Sequence, residues 1–106
     1  MSYITRSLEK VVQQVTQEYP VVLVTGPRQV GKTTMLQKLM EDENIGRVYV
    51  TLDNIADREM AKNDPAAFLE LYKPPLFIDE VQYAPELFTY IKMWADNHHT
   101  PGDFWL

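Results

Sequence analysis

Residues Gly26-Pro27-Arg28-Gln29-Val30-Gly31-Lys32-Thr33 satisfy the pattern G-x-x-x-x-G-K-[ST] at every fixed position. The chemistry this spacing serves is capture of a polyphosphate. Gly26 and Gly31 permit backbone angles that wrap consecutive N–H groups around phosphate oxygens, Lys32 reaches the β and γ phosphates, and the Thr33 hydroxyl is suited to coordinating Mg²⁺. The apolar run Val21-Val22-Leu23-Val24 lies just before the loop and reads as a buried strand. A helix beginning near Gly31 and running through Thr34 turns its positive dipole end toward the same anion site. We therefore take Gly26 through Thr34 as the nucleotide-contacting set, with ATP and Mg²⁺ as the expected ligands.

A second cluster complements the first. Leu76-Phe77-Ile78-Asp79-Glu80 is a short apolar strand ending in two acids, the form expected of a Walker B segment in a nucleoside triphosphatase. Asp79 would hold the Mg²⁺ shell beside Thr33, because a hard divalent cation takes oxygen ligands and keeps several waters. Glu80 would polarise the attacking water, and with Lys32 it forms the catalytic pair. Ligands of open α/β sheets bind at the carboxyl ends of strands, so both acids project toward the loop if the two strands share a sheet.

The composition places these residues in one ordinary domain. The chain has 106 residues, 45% hydrophobic and 24% charged, enough for one modest core and too few for two domains. No run approaches the ~20 apolar residues of a membrane span, and the amino terminus lacks a basic-then-apolar signal. The absence of cysteine excludes disulfides and thiolate metal sites and fits a reducing, cytoplasmic setting. A net charge of −5 argues against a surface that coats nucleic acid, so DNA is not indicated by this segment.

The elements that must position the chemistry can be read in order. Ile4, Leu8, Val11, Val12, Val15 and Tyr19 recur at helical spacing, predicting an amphipathic leading helix within residues 1–20 that ends at Pro20. A first strand is expected over Val21 to Thr25. A helix then buries Met35, Leu36, Leu39 and Met40, with Glu41-Asp42-Glu43-Asn44 as its solvated end. Val48-Tyr49-Val50-Thr51-Leu52 predicts a second strand. Two short helices follow, the second opened by Asp64 as N-cap and Pro65 at the first helical position. Pro85 begins a helix expected to bury Leu87, Phe88, Ile91 and Trp94, and residues 98–102 read as a loop. Asp103-Phe104-Trp105-Leu106 begins another strand. Strands alternating with helices predict an α/β fold, three-layered with a mostly parallel sheet.

The loop filling Pro27-Arg28-Gln29-Val30, the Leu52-Asp53 pair, Asp64-Pro65 with Phe68-Leu69, Pro74-Pro75-Leu76 and Ile78-Asp79-Glu80-Val81-Gln82 with Pro85-Glu86-Leu87 together resemble the AAA family 14 ATPase domain of bacterial and archaeal proteins. The likeness runs along essentially the whole chain. It implies a P-loop NTPase fold, Mg²⁺-dependent ATP hydrolysis in the complete protein, and an attached carboxyl-terminal domain as partner. It also implies a γ-phosphate sensor segment and arginine-finger residues beyond Leu106, so residues 1–106 are expected to be the amino-terminal part of such a domain, hydrolysing ATP slowly at best. In related ATPases the first strand lies between the fourth and fifth. Here that would leave Val21 to Val24 on a sheet edge open to self-association.

Other residues carry open alternatives. Arg28 could contact phosphate or be solvated. Gln82 could help sense the γ-phosphate and Asp53 could face the site from the end of strand two, or each could form a structural hydrogen bond. His98 and His99 fit solvated loop residues better than metal ligands, and Trp94 and Trp105 fit the core better than a base-stacking platform. Three functions follow: an ATPase driving an attached domain, a non-catalytic nucleotide- or partner-binding module, and a small-molecule kinase. The kinase is weakened by a supply of arginines limited to Arg6, Arg28, Arg47 and Arg58. No guanine-reading Asn-Lys-x-Asp motif occurs.

Overall fold

In the computed structural model, residues 3–24, 31–43 and 45–106 are described, with the side chains of residues 3–8 outside that description. The elements are α1 (Tyr3–Val15), β1 (Val21–Val22), α2 (Lys32–Glu43), β2 (Val48–Thr51), α3 (Ile55–Asn63), α4 (Pro65–Leu71), β3 (Leu76–Asp79), a 3₁₀ turn (Val81–Tyr83), α5 (Glu86–His98) and β4 (Phe104–Trp105). The strands form one sheet in the order β1-β4-β3-β2, parallel at every pairing. Parallel strands need crossover connections, and the intervening helices supply them.

Alternation along the strands decides the layers. Val50, Leu52, Leu76, Ile78, Phe104 and Leu106 face one side, packing with Ala61, Phe68, Leu69, Leu87 and Ile91 of α3, α4 and α5. Val22, Val24, Phe77 and Trp105 face the other, packing with Val12 of α1 and Met35, Leu36 and Leu39 of α2. The result is the expected three-layer α/β arrangement. β3 is buried along its whole length, as a central strand covered on both faces must be. Each fully buried Leu, Ile or Phe there contributes about 1.5–3 kcal/mol of transfer free energy.

β1 lies at one edge of the described sheet and beside β4, the placement the resemblance implied. Its pairing extends past the strand itself, since Leu106 N–H donates to the Val22 carbonyl and Val24 N–H to that of Leu106. Thr25 lies outside the described residues. The two short helices form as read: the Asp64 carboxylate accepts the Ala67 N–H, and Pro65 sits in the first turn. Asn54 caps α3 through the Asp57 N–H.

Several expectations need correction. The leading helix stops at Val15, not Pro20, because the next residues are claimed by the sheet edge. The Thr16 hydroxyl accepts the Trp105 indole N–H, and the Tyr19 carbonyl accepts the Gly102 N–H. Val11 within α1 and Tyr19 beyond it are both exposed, while Val12 is buried. α5 runs through His98, whose ring stacks on Trp94 one turn earlier at 3.9 Å between centroids. Phe88 is exposed and Trp94 half-buried, with the Trp94 indole donating to Asp103. Glu43 is not solvated. It holds Arg47 through two hydrogen bonds of 2.9 and 3.0 Å, and the buried guanidinium lies 4.0 Å over the Trp105 ring. Asn44 lies outside the described residues.

Candidate functional site

Parity on β3 places the site. Phe77 and Asp79 are two apart and share the face covered by α2, so the Asp79 carboxylate emerges beneath the first turn of that helix. There the Thr33 hydroxyl donates to Asp79 Oδ2 at 2.9 Å, joining residues 46 positions apart. Asp79 is only 5% exposed, and a buried carboxylate of this kind must be satisfied by donors. It is. Oδ2 also accepts the Tyr49 hydroxyl at 2.9 Å, and Oδ1 accepts the Glu80 backbone N–H at 3.0 Å.

The entrance to α2 is set by Gly31. Its φ of +71° falls in the left-handed region, while a Cβ there would meet nothing within 4 Å, so backbone angle rather than space calls for glycine. The Gly31 carbonyl accepts the Met35 N–H and starts the helical ladder. Lys32 Nζ donates to the Val24 carbonyl at 3.3 Å, tying the start of α2 to the end of β1. Thr34 is exposed in the same first turn. Gly26, Pro27, Arg28, Gln29 and Val30 lie outside the described residues.

Glu80 directly follows the strand with φ 58° and ψ 41°, a left-handed conformation costing a non-glycine residue roughly 1 kcal/mol. That turn redirects the chain into the 3₁₀ segment and lets the Gln82 amide donate to the Glu80 carboxylate. Asp53 lies beyond the end of β2, where its N–H donates to the Thr51 hydroxyl.

These groups line one cleft of about 700 Å³ at the carboxyl ends of the strands. Gly31, Lys32, Thr33, Thr34, Asp79 and Glu80 form its polar wall, with Asp53 and Gln82 at the margin, and Leu23, Phe88 and Leu106 contribute apolar surface. Two contributors carry no sequence signal for the site. Helical spacing on α5 points Phe88 to the core. Tyr49 reads only as a strand residue, because its approach to Asp79 depends on the register between β2 and β3. Burial and then the hydrogen bond to Asp79 push the Tyr49 phenol up to about 12, so it remains a donor at physiological pH.

The donor chemistry suits a magnesium ion. Thr33 and Asp79 present hard oxygens side by side, few enough that the cation would keep several waters, which is how Mg²⁺ is usually held next to phosphates. Among the described residues there is no cluster of three or more His, Cys, Asp or Glu that would make a self-contained protein cage. No described helix is long and apolar enough to cross a membrane.

A parallel sheet sandwiched by helices, with a Gly-Lys-Thr helix start facing an acidic strand end, defines the class of P-loop NTPase folds. The chain belongs to the AAA domain family, whose profile matches residues 18–106. It is thus an ATPase-like nucleotide-binding module. Two uncharacterized proteins, of Mycobacterium bovis and of Mycobacterium tuberculosis, are each 33% identical to it over 85 residues, covering 80% of this chain. The chain spans 19% of the length of each of these relatives. No solved structure matches the chain.

Proposed function

We propose that this chain binds ATP together with Mg²⁺ and that the complete protein hydrolyses it to drive an attached domain. The observation that carries this reading is the 2.9 Å bond between the Thr33 hydroxyl and Asp79 at the dipole end of α2. Lys32 leaves the Val24 carbonyl for the β and γ phosphates, a stronger charge-assisted partner. The N–H groups of the loop from Gly26 to Gly31 cradle the phosphate oxygens, and Thr33 with Asp79 holds the cation. Mg²⁺ held beside Thr33 and Asp79 would offset the charge of the phosphates. Glu80, aimed by its left-handed backbone toward the cleft, orients and polarises the attacking water. An arginine supplied by another segment or copy would stabilise the transition state and is worth about 10³–10⁵ in rate. The absence of cysteine supports action in the cytoplasm.

Calorimetric titration of Mg²⁺-ATP into the wild type and Lys32→Ala, with GTP as comparison, tests this directly. Saturable ATP binding lost in the variant is the expected result. A folded, monodisperse wild type that gives no binding heat with ATP would sink the proposal.

A further inference from the structure

Tyr49 stands opposite Phe77 in the parallel register of β2 and β3, and the two rings meet edge-on with centroids 5.1 Å apart. Phe77 and Asp79 share a face, so a side chain at position 49 reaches diagonally along that face to the residue two places on, within range for an aromatic. The Tyr49 hydroxyl ends 2.9 Å from Asp79 Oδ2. That oxygen already accepts the Thr33 hydroxyl, and Oδ1 accepts the Glu80 N–H. A carboxylate has about four acceptor positions. Two are filled on Oδ2 and one on Oδ1, which leaves one on Oδ1 among the described residues.

We infer that Tyr49 is a positioning residue for the cation-holding half of the site. Its hydroxyl and that of Thr33 saturate Oδ2, which commits the Thr33 proton to Asp79 and leaves the Thr33 lone pairs for a cation. The carboxylate is thereby fixed in rotation, with its remaining acceptor position on Oδ1 offered to the cation's water shell. This gives β2, which contributes no residue to the loop or to the acidic strand end, a part in metal binding. The role rests on the Mg²⁺-nucleotide reading above. Tyr49→Phe removes the oxygen alone and keeps the ring against Phe77. A bond that merely satisfied a half-buried phenol would alter stability without altering the response to Mg²⁺.

The test is calorimetric titration of ATP into wild type, Tyr49→Phe and Tyr72→Phe, in chelator and at stepped Mg²⁺ concentrations. Tyr72 donates to Asp57 at 2.7 Å, so its variant removes the same kind of bond away from the cleft. In chelator, all three proteins should bind ATP within about twofold of one another. With Mg²⁺, half-maximal enhancement of ATP binding should require about tenfold more cation in Tyr49→Phe, at the lower end of effects seen for groups that orient metal ligands. Tyr72→Phe should follow the wild type. Metal-free thermal unfolding checks that each protein is folded, and Tyr49→Leu provides a second variant without the hydroxyl. Equal Mg²⁺ requirements in Tyr49→Phe and wild type would overturn the role of Tyr49 alone, as would equal weakening with and without the cation. A wild type that binds no ATP under either condition would overturn the nucleotide reading and this role with it.

Discussion

The Thr33 hydroxyl donates to Asp79 Oδ2 across 46 residues of chain, joining the first turn of α2 to the end of the central strand. One buried carboxylate therefore ties the fold to the candidate site. Asp79→Asn keeps the shape but removes the charge and turns part of the acceptor set into donors facing two hydroxyls and an amide. Stability should fall by about 1–3 kcal/mol, and the enhancement of ATP binding by Mg²⁺ should disappear. Urea unfolding beside calorimetry checks both, and a wild-type Mg²⁺ response in Asp79→Asn would rule out Asp79 as a cation-holding group.

Glu80 allows backbone and carboxylate to be separated. Glu80→Gln should leave ATP affinity within about threefold while lowering hydrolysis by the 10²–10⁴ expected for loss of a positioned base. Glu80→Gly should lower hydrolysis to the same extent but raise stability by roughly 0.5–1 kcal/mol, because φ 58° carries no penalty for glycine. Steady-state phosphate release in the complete protein and unfolding of this chain are the measurements. Full activity in Glu80→Gln would remove Glu80 from the reaction.

Gly102 and Gly46 have nearly the same φ, +76° and +78°, yet differ in surroundings. A Cβ on Gly102 would lie 2.8 Å from Thr16 Oγ1 and 2.9 Å from the Thr16 carbonyl, whereas one on Gly46 would meet nothing within 4 Å. Gly46→Ala should cost about 1 kcal/mol and Gly102→Ala at least ~2 kcal/mol. The second substitution pushes the exit of α1 away from Trp105, whose indole N–H is bonded to Thr16 at 2.9 Å. Equal costs in chemical denaturation would show that the close approach is relieved cheaply.

Tyr72 closes α4 and donates to Asp57 on α3. Its phenol lies above the ordinary 10.0, first because of that hydrogen bond and then because of burial. The folded state thus favours the protonated phenol. The contribution is full below pH 10 and is lost as pH rises through the elevated value. Tyr72→Phe, which keeps the ring against Phe68, should cost roughly 0.5–1 kcal/mol near neutral pH, and the gap from wild type should narrow above pH 10. A gap that stayed constant across that range would show that the bond to Asp57 is not its source.

Local patterns carried much of the fold. Short apolar and β-branched runs located the strands. Asp64-Pro65 marked a helix start through backbone N–H groups that only a cap can satisfy, and the order of strands and helices required parallel pairing. The errors lie where a distant partner competes with a local rule. Helical spacing carried the leading helix on to Tyr19, but Trp105 and Gly102 capture the Thr16 to Tyr19 segment and end α1 at Val15. The acidic run ending α2 said solvent, but Arg47 draws Glu43 into a partly buried pair.

For the site, the sequence by itself determined which atoms are available. Gly31, Lys32, Thr33, Asp79 and Glu80 are legible because phosphate and cation chemistry demands those residue types in fixed local order. Their meeting was decided by tertiary structure. A one-residue change of phase on β3 would turn Asp79 to the opposite face, away from α2 and Thr33. Tyr49 was wholly a matter of register: nothing in its neighbourhood in sequence marks it, since hydrogen bonds between strands, not the order of residues, set which side chains stand diagonal to one another.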